Sequence, residues 1–172
     1  MGTDVCRKHF ENISKHLAEF EQKPKEVNGN LIPEWFNVGE DVFQEFYNLG
    51  TSLKWNYTPL RQSQEVEDIL CRVTKNQDWL QSFLSMYPGV RIDMEGATPA
   101  VNICQVRSGL ETLLQGFAGI HKPFDNVLID LKQMGELEEF DEHLKVWADS
   151  HRPDFFPGDR HPDTPKSHWW WL

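Results

Sequence analysis

Apolar residues recur at steps of three and four along most of this chain, the spacing of one buried face on an α-helix. Between residues 4 and 22 the stripe is Cys6, Phe10, Ile13, Leu17 and Phe20, with Lys8, Glu11, Lys15, Glu19 and Glu21 on the other faces. Asp4 stands where a cap is wanted, and Pro24 ends the run. After a turn signal at Asn28-Gly29-Asn30, the next stripe is Trp35, Val38, Val42, Phe46, Leu49 and Leu53, within 33–55. Pro33 can start this helix, but Gly39 weakens its middle, so a short turn is allowed at 33–38 and a firm helix is expected from Glu40. Phe43, Tyr47 and Gly50 form a second stripe beside the first, where Gly50 leaves room for another helix to come close.

Thr58-Pro59 breaks the pattern, which resumes from Ser63 with Val66, Ile69, Leu70 and Val73. The polar patch 74–78 leaves two readings open: one helix to Tyr87, or a second helix capped by Asp78 that carries Trp79, Leu80, Phe83, Leu84 and Tyr87. Pro88-Gly89 stops either version. The stretch 98–120 is the one around which the rest is organised. Thr98-Pro99 supplies a cap and a first-turn proline, and Ile103, Val106, Leu110, Leu113, Phe117 and Ile120 follow at helical steps. Val101 and Leu114 widen its stripe, and Arg107 and Glu111 are its few charges, as expected of a central, covered helix. Two more stripes follow: Phe124, Val127, Leu128, Leu131 and Met134, closed by Gly135, and then Leu137, Phe140, Leu144 and Trp147. These patterns predict an all-α bundle of five or six helices. One segment dissents. Val90-Arg91-Ile92-Asp93-Met94 alternates apolar and polar residues, and pairing it with 126–131 would give an α+β fold instead.

From Ser150 the chain changes character. It holds Pro153, Pro157, Pro162 and Pro165 and ends in Trp169-Trp170-Trp171-Leu172, so a helical domain 1–149 is expected to carry an extended tail, 150–172.

The length of 172 residues is enough for one sizeable core, and 39 % hydrophobic with 26 % charged residues is a globular balance. The net charge of −10 opposes nucleic acid and anionic membrane, and no Lys/Arg run reverses it locally. Three cysteines with long spacings (Cys6, Cys71, Cys104) favour reduced thiols and a cytoplasmic location. Membrane attachment would need lipid at Gly2 and Cys6. The position wanting Ser or Thr holds Cys6 instead, and Cys6 is already accounted for by its apolar stripe.

Candidate chemistry is sparse. His9 and His16 lie near one line on the first helix, but two turns put them about 10 Å apart, too far to share a metal alone. The tail gathers Asp149, His151, Asp154, Asp159, His161, Asp163 and His168 in no recognised ligand spacing. Glu139 and His143 share a helix face without an HExxH pattern, and no phosphate-loop or nucleophile-elbow motif occurs. No catalytic residue, metal ligand or cofactor site is therefore assigned. The leading expectation is a non-enzymatic protein–protein interaction module, a regulatory or scaffold subunit. Its contact residues would be Trp169, Trp170 and Trp171 as anchors, Pro162 and Pro165 of a PxxP-like segment, and the acidic block Glu138, Glu139, Asp141 and Glu142. On that reading the tail from residue 150 is separable from the fold. An apolar-ligand or lipid-binding site between 33–55 and 79–87, and a metal-dependent enzyme using the histidines, are the alternatives.

Overall fold

The computed structural model describes residues 2–23, 25–28, 30–92, 100–151 and 160–171. The predicted Thr98-Pro99 start and the end of the alternating segment at Asp93-Met94 lie outside these residues.

Among the described residues seven α-helices build an all-α bundle: α1 Gly2–Gln22, α2 Pro33–Ser52, α3 Gln64–Lys75, α4 Gln77–Tyr87, α5 Ala100–Gly116, α6 Lys122–Met134 and α7 Glu136–His151. A two-residue antiparallel pair, Glu26–Val27 with Asn30–Leu31, closes the loop before α2. The α+β alternative is overturned. Residues 126–131 are inside α6, and Pro88–Ile92 prolongs α4 as a wide π turn with Ile92 buried. Alternation over so few residues is also what a tight turn gives when one side faces the core.

The expected stripes bury as units. Cys6, Phe10, Ile13, Leu17 and Phe20 of α1 share one core cluster with Val66, Ile69, Leu70 and Val73 of α3 and with Leu137, Phe140, Leu144 and Trp147 of α7. The open question at 74–78 resolves as a break at Asn76, which separates α3 from α4, so Asp78 lies in the first turn of α4 rather than at its cap. Asp4 likewise lies inside α1. Helix α2 begins at Pro33, earlier than Gly39 suggested, because Trp35, Phe36 and Val38 are buried and hold its first turn in place. It ends at Ser52. Lys54 (φ 50°) and Trp55 (φ 60°) then take the left-handed conformation, and the Trp55 N–H bonds back to the Gly50 carbonyl. Trp55 is thereby folded over Gly50, at the gap the missing side chain leaves. Among the former stripe residues Met134 departs: it is 56 % exposed at the end of α6, where Gly135 (φ 78°) turns the chain into α7.

Helices α2 and α5 form the centre. Their axes come so near that a methyl on Gly109 would overlap the backbone carbonyl of Phe43. Around this crossing Phe43, Phe46, Leu110, Leu113 and Phe117 are fully buried. The aromatic faces of α2 and α4, between which an apolar ligand was the alternative expectation, pack on each other, and a cavity of about 270 Å³ lined by Phe20, Trp35, Trp79 and Ser82 lies beside them. Phe43 and Phe83 have ring centroids 5.1 Å apart, Trp35 and Phe36 meet edge to face at 5.1 Å, and Phe83 lies 4.8 Å from Tyr87. No helix among the described residues is long and apolar enough to cross a membrane.

A Gly109→Ala substitution is expected to be the most damaging single-methyl change in the chain, costing about 3 kcal/mol or more, since the obstacle is backbone and cannot rotate away. Chemical denaturation of G109A beside G89A, where an added methyl meets nothing within 4 Å, checks this.

Candidate functional site

The terminal segment is not one extended run. Thr164 N–H bonds to the His161 carbonyl at 2.9 Å and His168 N–H to the Pro165 carbonyl at 3.0 Å, so two turns succeed each other before a 3-10 turn at Trp169–Trp171. Pro162 is exposed in the first turn, and Arg160 donates to the carbonyls of Thr164 (3.0 Å) and Pro165 (3.4 Å). A PxxP ligand is presented as polyproline II, and these hydrogen-bonded turns do not have that form.

The tryptophans close the bundle. Trp170 and Trp171 are buried and belong to the core cluster, while Trp169 is partly buried, with Lys145 Nζ 5.9 Å from its ring centre. Both buried indoles donate to one hydroxyl: Trp170 Nε1 lies 2.9 Å and Trp171 Nε1 2.8 Å from Ser108 Oγ on α5. A serine oxygen has two lone pairs, so one small side chain satisfies two donors that would otherwise be buried unpaired. The Cys104 thiol donates to the Trp170 carbonyl at 3.3 Å, and Trp171 stacks on Tyr47 at 5.9 Å. His168 stacks on Trp170 at 4.8 Å and meets Trp55 edge-on at 4.7 Å. In this arrangement the rings of Trp170 and Trp171 face the bundle, and residues 160–171 lie against it.

Arg107 ties this cluster to α7. Its guanidinium lies 4.3 Å above the Trp170 ring, pairs with Asp141 through two bonds (2.7 and 3.0 Å) and reaches Glu111 at 2.7 Å. Burial works against its charge, but the bonds and charges of Asp141 and Glu111 outweigh burial and hold its proton more firmly than usual. Asp141, one of the four acids expected to meet a partner, is therefore turned inward. The other three are not: Glu138, Glu139 and Glu142 are exposed. With Gly135, His143 and Val146 they line an open concavity of about 700 Å³ along α7. Val146 is 73 % exposed there. Six acids against one lysine give α7 a net charge of −5, half that of the whole chain.

His168 is buried between rings, His161 Nδ1 accepts from the Asp163 N–H at 3.2 Å, His151 closes α7, and Asp154 and Asp159 lie outside the described residues. No group of three or more His, Cys, Asp or Glu side chains able to hold a metal occurs among the described residues. Two pairings do arise that sequence spacing did not reveal. Cys71 Sγ and His121 Nε2 are 3.4 Å apart, brought together by α3 and the start of α6. His9 lies between Glu45 (3.1 Å) and Ser52 (2.9 Å), across the α1–α2 contact. The signal for the latter was Glu45 and Ser52 themselves, seven residues apart and so on one face of α2. Which residue of another helix would bridge them was not legible.

Burial also silences two of the three thiols. It pushes the Cys104 thiol well up and, with Glu65, raises that of Cys6. Cys6 being inside the α1 core also removes it as a lipid attachment point in the folded chain. Compared with known proteins, the chain matches no family, no curated protein and no solved structure.

Ser108→Ala should cost about 2 kcal/mol or more, because two indole N–H groups lose their acceptor inside the core. Urea denaturation followed by tryptophan fluorescence measures it. Acid should act through His168. Burial, aided by Arg107 and Arg160 and opposed by Glu111, lowers its pKa from 6.5 to about 4. The unfolded chain therefore binds this proton first, and stability falls as pH drops from about 6.5 towards 4, by about 1–3 kcal/mol for this group. In His168→Phe, which keeps a ring between Trp55 and Trp170, melting temperature should decline less over that window than in the parent.

Proposed function

We propose that this chain is a protein–protein interaction module, a regulatory or scaffold subunit of a cytoplasmic assembly, and that it docks a basic, amphipathic partner segment on α7. The observation that carries this is the concave face of Glu138, Glu139 and Glu142 with Val146 at its apolar step. Negative charge around an apolar patch selects a Lys/Arg-rich segment with hydrophobic residues at helical spacing, and steers its approach. Asp141 supports the site from behind: its two bonds to Arg107 join α7 to α5. Three free cysteines suit a reducing compartment. Trp169, Pro162 and Pro165 remain at the rim of the tail, but the weight of recognition moves from the tryptophans to α7.

The test is binding of a synthetic lysine/leucine amphipathic peptide, measured by fluorescence anisotropy at low and physiological salt. The parent should bind in a salt-dependent manner, and the triple variant E138K/E139K/E142K should lose about tenfold or more in affinity with an unchanged circular dichroism spectrum. Equal binding by parent and variant would remove the acidic face as the docking surface.

A further inference from the structure

The contact between α1 and α2 assembles three side chains in the order of an acyl-transfer relay. Ser52 Oγ is 2.9 Å from His9 Nε2, and His9 Nδ1 is 3.1 Å from Glu45 Oε2. The partners fix the tautomer: Nδ1–H donates to the carboxylate, leaving Nε2 to accept from the serine hydroxyl. His9 and Glu45 are largely shielded, each 17 % exposed, whereas Ser52 stands in solvent. Asn48 Nδ2 donates to the second Glu45 oxygen at 3.3 Å, so the carboxylate is held from both sides. The backbone beneath is rigid. His9 lies between buried Phe10 and Cys6 on one helix, and Glu45 is next to buried Phe46 on the other.

We infer that Ser52, with His9 as its base and Glu45 as the positioning carboxylate, is a nucleophile for activated acyl esters. This reading is independent of the docking face on α7. In the step, Ser52 Oγ bonds to the carbonyl carbon of the ester while its proton passes to His9 Nε2. The alcohol then leaves with the bonding electron pair and takes that proton from His9, which leaves an acylated serine and the free alcohol. Glu45 stabilises the imidazolium in between, and so does the carbonyl end of α2, where Ser52 is the last residue. The same helix end limits the chemistry. The N–H groups of Leu53, Lys54 and Trp55 are all committed to carbonyls, so they give no oxyanion donors beside Ser52. The substrate must therefore carry a good leaving group, and adduct formation outruns turnover.

The experiment treats the full chain with p-nitrophenyl acetate and, in parallel, with a fluorophosphonate, and locates adducts by peptide mass mapping. Ser52 should be labelled well before the exposed serines Ser85 and Ser167. His9→Ala should slow Ser52 labelling by about a hundredfold and Glu45→Gln by about tenfold, with circular dichroism unchanged. A Ser52→Cys variant should react with iodoacetamide faster than the same variant carrying His9→Ala. Labelling of Ser52 no faster than of Ser85 and Ser167, or a rate indifferent to His9, would overturn the inference and leave the trio as a clamp between helices.

Discussion

The close crossing of α2 and α5 is the constraint on which the rest of the structure depends. With no side chain at Gly109, the two backbones meet at Phe43, and the side chains to either side are drawn into one core. Interhelical packing of this kind gains from many small dispersion contacts that vanish if the axes separate by even an ångström. Gly50 repeats the device seven residues further along α2, where Thr112 and Trp55 occupy the space its side chain would take. Around this pair α1 lies along α2, α3 packs on α1 and α6, and α4 and α7 pack on each other at the end where Phe83, Tyr87 and Phe140 meet.

One turn of α5 supplies the second constraint, and it is polar. Arg107 and Ser108 sit side by side on α5, both buried, and each recruits a segment distant in sequence. A buried guanidinium is tolerable only with its donors filled, which Asp141, Glu111 and the Trp170 ring accomplish together. A buried indole likewise needs an acceptor, which Ser108 gives twice. The described end of the chain, 160–171, is thus fastened by specific polar pairing as well as by the area of its rings, and Trp170 and Trp171 become part of the core.

This arrangement also sorts the surface. On the first turns of α7, Asp141 pairs with Arg107 of α5, while Glu138, Glu139 and Glu142 are exposed. The acidic concavity begins at Gly135, the left-handed residue that turns the chain from α6 into α7. On the far side of the molecule, the α1–α2 contact brings a serine, a histidine and a carboxylate within hydrogen-bond range.

The sequence by itself determined the helices and their inward faces. Periodicity of three and four is a local property, and burying each stripe required only that some neighbour be present; Phe10, Val66, Leu110 and Leu144 are all inside as their spacing demanded. It also placed the turn at Gly135 and the room at Gly50. Tertiary structure alone decided which helix meets which, because stripe patterns are interchangeable in pairing. For that reason Gly109, one glycine in an apolar run, did not announce the crossing, and Asp141 could not be told from Glu138, Glu139 or Glu142. The 90–94 segment misled because a few residues of alternation fit a strand and a wide turn equally, and only the absence of a partner strand decides between them. The fate of the tryptophans depended on Ser108, more than sixty residues away in the chain. No local rule links the two, since the hydrogen bonds that join them exist only once the bundle has closed.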